Sequence, residues 1–138
     1  MTELIDKSQQ NIEAALALRT SLNLLAPSVH CAYYSCVQLM IDILIHDFEI
    51  PDDEIIDEAK AHDMGTHEFA SSKIFMDLKS KKEFQSANNF NNTVGRLRRK
   101  RNLADYKLFT VTPQTSKNAY EEALIINTIL KKHYNIED

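Results

Sequence analysis

Residues 96–106 read RLRRKRNLADY and hold five of the chain's sixteen Lys and Arg residues within six positions. Guanidinium groups at that density suit phosphate, because their forked N–H donors match its oxygens. The spacing then divides the cluster. At 100° per residue, Phe90, Val94, Leu97, Ala104 and Leu108 share one apolar stripe, and Arg101 falls in the middle of it. Arg96, Arg99 and Lys100 point away from the stripe and need only solvent. A charge on the stripe needs a partner or an exit to water, since burying it alone is costly. Asp105 stands one turn later, at the i,i+4 spacing of an ion pair with Arg101. Arg98 is one turn earlier, and Asn102 and Tyr106 flank the same edge. The candidate anion site is therefore Arg98, Arg101, Asn102 and Asp105, with Tyr106 at its border. Two readings stay open from periodicity: an internal salt bridge with a solvated basic edge, or a site where Arg98 and Arg101 hold a phosphate.

The elements that must position this patch read as helices. The chain has 138 residues, enough for one domain over 1–138 with a core of its own. Only two glycines are present, where a sheet with tight hairpins would usually need more. An all-α fold follows. Apolar spacing predicts helices over residues 3–22, 27–48, 66–80, 86–107 and 112–134, with Pro27 and Pro113 in first turns and Thr66 as a cap. The second is apolar on most sides, and Tyr34, Gln38, Asp42 and His46 form its one polar stripe. That pattern marks a central helix. Residues 50–65 read as a mobile acidic connector with a short exposed helix over 52–61. The expected architecture is an up-and-down four-helix bundle with one additional helix.

Composition bounds the rest. The net charge is −4, so the basic cluster is a local patch on an acidic protein rather than a general nucleic-acid coat. Cys31 and Cys36 lie five apart in an apolar run and are expected to be reduced and buried. The N-terminus carries no apolar signal region, and Asp42, His46 and Asp47 break the run over 39–48, so no secretory signal, no membrane span and a cytoplasmic location are expected. His62 and His67 with Asp63 between them match no metal motif, and surface or capping roles are expected for both. Asp42 and His46 read as a hydrogen-bonded pair, and His30 has no partner that spacing can name. No Gly-rich phosphate loop or nucleophile elbow is present, so neither a metal nor a cofactor is expected.

Residues 28–44, SVHCAYYSCVQLMIDIL, resemble the "AYYA" helix of HEPN domains. Gly65-Thr66-His67 ahead of an apolar helix with Phe75 is similar to the "TH…F" segment of one bacterial and archaeal HEPN subgroup. RNLADY over 101–106 resembles that subgroup's "R…ADY" ending. The segments occur in the family's order and cover nearly the whole chain. The resemblance implies a HEPN-like helical bundle that forms a homodimer, with RNA or a nucleotide as ligand and, in several members, a small nucleotidyltransferase antitoxin as partner. Catalytic members carry Arg, four to six residues, then His, and are metal-independent ribonucleases. Here Arg101 matches the Arg and Asn102 the polar residue after it, but Tyr106, Lys107 and Leu108 occupy the His positions. Tyr titrates near ~10 and is a poor base at neutral pH. The expectation is an RNA- or nucleotide-associated module, non-catalytic or weakly catalytic. The alternatives are an active ribonuclease toxin, with Arg101 and either Tyr106 or a histidine elsewhere as its catalytic residues, and a structural dimerisation module.

Overall fold

The computed structural model describes residues 2–106, 108 and 110–137. It is all-helical: α1 (Glu3–Thr20), α2 (Leu25–His46), a 3-10 turn (Asp52–Glu54), α3 (Ile55–Ala61), α4 (Thr66–Ser80), α5 (Phe84–Tyr106) and α6 (Pro113–His133). Two starts follow local chemistry. Thr2 caps α1 by accepting from the Ile5 N–H, and Thr112 caps α6 by accepting from the Thr115 N–H, with Pro113 directly behind it. Thr66 does not cap α4; Gly65 holds the N-cap position without a side-chain bond, and Thr66 is the first helical residue. Position 107, to which α5 was expected to run, lies outside the described residues.

The scarcity of glycine has a structural counterpart. Asn23, Glu49, Asp63, Lys82 and Asn135 all have φ between 53° and 62°, each just beyond a helix end, while neither glycine has positive φ. Side-chain-bearing residues thus do the chain-reversing work at helix C-termini that glycine usually does.

Side-chain pairs give the helix directions. Thr2 reaches Asp42 and Ser8 reaches Ser35, so α1 runs against α2. Ser28 meets Ser116 and Cys36 meets the Ala123 carbonyl, so α6 runs with α2. His30 reaches Asp105 and Arg101 reaches Tyr34, so α5 runs against α2. His67, at the start of α4, meets Tyr33, whereas Asp77, near its end, meets Tyr134 beside Phe48. So α4 runs with α2, and the expected alternation of direction breaks there. The cause is the acidic segment, which carries the chain back along the molecule before α4 begins. It is not a loose connector: α3 buries Ile55 and Ala59.

Val29, Ala32, Cys36, Leu39, Ile43 and Leu44 of α2 are fully buried, with Phe69, Ile74, Phe90, Leu97 and Ile126 from the helices around it. By length and composition α2 could cross a membrane, with mean hydropathy 1.3 over its best window, but 67% of that window is buried inside the protein. Its apolarity is that of a core helix, and the interruptions over 39–48 were not the deciding feature. Both cysteines are free; Cys36 is buried and its thiol donates to backbone carbonyls. On α6, Leu124 turns outward and Ile126 takes the inward place.

Candidate anion site

Arg101 sits where periodicity put it, against the α2 face of α5, with its side chain only 14% exposed. Its Nε donates to Asp105 Oδ2 at 3.0 Å, Nη1 to Asn102 Oδ1 at 3.3 Å, and Nη2 to the hydroxyls of Tyr34 at 3.0 Å and Tyr106 at 3.1 Å. The guanidinium carbon also lies 5.1–5.5 Å from the ring centres of Tyr33, Tyr34 and Tyr106. Burial works to lower the Arg101 pKa. The phenols of Tyr34 and Tyr106 and the Asp105 carboxylate more than offset it, and the net shift is upward. The charge is held firmly. Four of the guanidinium's five N–H groups have partners inside the chain.

Two histidines complete the cluster. Asp105 Oδ2 also accepts from His30 Nδ1 at 2.8 Å, so one carboxylate oxygen serves an arginine and an imidazole. His67 Nδ1 shares a hydrogen bond with the Tyr33 hydroxyl at 3.1 Å. The Tyr34 ring lies between the imidazoles, 4.6 Å from His30 and 5.5 Å from His67. Burial, then the charges of Arg101 and Arg98, hold the His67 pKa below its ordinary 6.5. Burial pushes the Tyr33 phenol up to about 12, with Arg98 and Arg101 pulling partly back. The His30 side opens onto a depression of about 490 Å³ whose walls include Pro27, Cys31, Ala104 and Tyr106.

The structure therefore brings Arg101, Asn102, Asp105 and Tyr106 into contact. Arg98 stands exposed one turn away and its side chain makes no hydrogen bond or ion pair among the described residues, although its charge acts on Tyr33 and His67. Two other members of the basic run are not the solvated edge that spacing predicted. Arg96 and Lys100 both bind the buried Glu122 of α6, at 3.3 and 2.9 Å. A carboxylate 22 and 26 residues downstream is invisible to helical periodicity. Leu108, placed on the apolar stripe, is fully exposed beyond the end of α5.

Sequence reasoning missed His30, Tyr33, Tyr34 and His67. One signal was available: His30 is one turn ahead of Tyr34, so the polar stripe of Tyr34, Gln38, Asp42 and His46 starts a turn earlier than was read. His67 had no such signal, because the return of the chain through α3 is what sets it on Tyr33. The Asp42–His46 pair is looser than a hydrogen bond at 3.6 Å; Asp42 instead accepts from Thr2 at 2.6 Å. His62 contacts the Glu58 carbonyl, and no group of three metal-ligating side chains occurs among the described residues.

Chemically, the cluster offers a fixed positive charge, a free arginine, two oriented imidazoles and one exposed aromatic ring, that of Tyr106. These are the parts of a site for a phosphate that carries a base. No family model, curated protein or solved structure matches the chain.

Proposed function

We propose that this chain is an RNA- or nucleotide-binding module of HEPN type, in which the patch around Arg101 receives the phosphate. The observation that carries the reading is Arg101 seated among three tyrosines with Arg98 unpaired beside it. A purely structural salt bridge needs one carboxylate; it does not need an aromatic surround and a second cation left free. On this reading the helices form a HEPN-like bundle, the chain acts as a cytoplasmic homodimer, and a small nucleotidyltransferase is its partner. The test is fluorescence anisotropy of a short labelled single-stranded RNA against salt. Replacing Arg98 and Arg101 together by Ala removes two phosphate contacts and flattens the log–log salt slope by about 1.4. An unchanged affinity and slope would sink the proposal.

A second reading rests on His67. A neutral imidazole, oriented by Tyr33 and facing two arginines, is a base suited to taking a proton from a ribose 2′-hydroxyl. It would supply what Tyr106 cannot, and the chain would then be a metal-independent ribonuclease, the toxin of a toxin–antitoxin pair. Cleavage in EDTA of an RNA, but not of the same oligonucleotide with 2′-deoxy sugars, is the expected result. Intact RNA at stoichiometric protein, with Arg101→Ala expressing in cells no better than wild type, rejects it.

A further inference from the structure

Arg101 holds an apparent contradiction for a phosphate site, and the way out of it names a further residue. Four of its five N–H groups are engaged inside the chain, leaving one on Nη1. A phosphate bound in the forked manner needs two parallel N–H groups, so one internal acceptor must leave when the anion arrives. The acceptors are not equally free to go. Asp105 is mostly buried and is also bonded to His30; Tyr34 is packed between His30, Tyr33 and His67. Asn102 holds Nη1, which already carries the free N–H, so its release would free two N–H groups on one nitrogen rather than a parallel pair on two. Tyr106 is the last residue of α5, is 68% exposed, and its hydroxyl has no hydrogen-bond partner except Arg101 among the described residues.

We propose that Tyr106 is the exchangeable ligand of Arg101: an incoming phosphate oxygen displaces its hydroxyl from Nη2, and the freed ring stacks on the base attached to that phosphate. This rests on the reading of the patch as a phosphate site and makes the ligand a nucleotide unit rather than bare phosphate. The exposed ring borders the 490 Å³ depression beside His30, where a planar base has room to lie against it. No covalent step is involved. Tyr106 thus occupies the site when it is empty and recognises the base when it is filled.

Substitutions separate the two roles of the side chain. Tyr106→Phe keeps the ring and removes the competing hydroxyl; Tyr106→Ala removes both. With inorganic phosphate as probe, titrated by chemical-shift changes, both variants are expected to bind about threefold to tenfold more tightly than wild type, from one released hydrogen bond. With adenosine 5′-monophosphate, the Ala variant is expected to bind at least about fivefold more weakly than the Phe variant, which retains a stacking surface. Phosphate binding no tighter in the Phe variant than in wild type overturns the exchange, as does a failure of both to bind phosphate. Equal affinity of the Ala and Phe variants for the nucleotide overturns the stacking. Arg98→Ala with Arg101→Ala is measured alongside on RNA. If that double variant loses RNA binding while Tyr106→Phe changes nothing, the site stands and only the exchange fails. If the double variant binds RNA like wild type, the phosphate site itself is gone. The exposure of Tyr106 at a helix end makes unfolding of either variant easy to exclude by circular dichroism.

Discussion

The Arg101–Asp105 pair can be measured by a double-mutant cycle built from Arg101→Ala, Asp105→Ala and the two together. The charges meet at 3.0 Å, with side chains 14% and 17% exposed. At an effective dielectric constant of about 20 the gross attraction is about 5 kcal/mol, and the desolvation of both groups offsets most of it. The partners that remain after each single change set the rest. Without Arg101, Asp105 keeps His30, so the loss stays below the roughly 3–5 kcal/mol of a fully orphaned buried charge and is expected at about 2–3 kcal/mol. Without Asp105, Arg101 keeps Tyr34, Asn102 and Tyr106, and the loss is expected at about 1–2 kcal/mol. The coupling energy is then about 1–2 kcal/mol. Urea unfolding followed by far-ultraviolet circular dichroism reads all four corners, because the fold is helical throughout. The coupling is also expected to persist in half-molar salt, since buried pairs are weakly screened. A coupling below about 0.3 kcal/mol would show that the two groups are solvated independently, and the account of Arg101 as a fixed charge would be wrong.

Three further outcomes follow from other contacts. The depressed His67 pKa means that the unfolded chain takes up a proton first; its stabilising contribution is complete above about pH 6.5 and is lost as pH falls through the folded value, so His67→Gln flattens that part of the stability–pH profile. Tyr33 shifts the other way: its contribution is complete below its ordinary 10 and is lost as pH rises toward about 12, and Tyr33→Phe removes this alkaline loss while costing about 1 kcal/mol at neutral pH. A Tyr33→Phe profile as steep as wild type above pH 10 counts against the burial of that phenol. At Lys82, with φ of 62°, Lys82→Gly is expected to raise stability by about 0.5–1 kcal/mol, seen as a higher urea midpoint; a lowered midpoint rejects the strain argument.

Helix positions were legible because a period of 3.6 is written locally, and Pro113 with Thr112 marks one boundary to the residue. The Arg101–Asp105 pair was legible for the same reason: both partners lie on one turn of one helix. What periodicity could not reach was everything contributed by another element. Glu122 binds Arg96 and Lys100 across the α5–α6 contact, and nothing in the spacing of either helix announces it. His67 is the clearest case. It looked like a capping histidine because it begins a helix, and its meeting with Tyr33 depends on which way α4 runs. Helix direction is decided by where the acidic segment can bury Ile55 and Ala59, a tertiary fact with no local signature. The αL residues Glu49 and Lys82 were also unreadable, because neither side chain favours that conformation.

The direction of α4 has a consequence for the backbone itself. Each helix carries about half a positive unit charge at its N-terminus and half a negative one at its C-terminus, from its aligned peptide dipoles. Three helices, α2, α4 and α6, begin at the end of the molecule that holds Arg101, and two, α1 and α5, end there. The peptide groups leave a net positive end on that side. Turning α4 alone over, with the other four helices kept as they are, would reverse the sign. By returning the chain before α4 starts, the segment with the densest run of carboxylates gives the Arg101 end of a −4 protein a backbone field that favours anions.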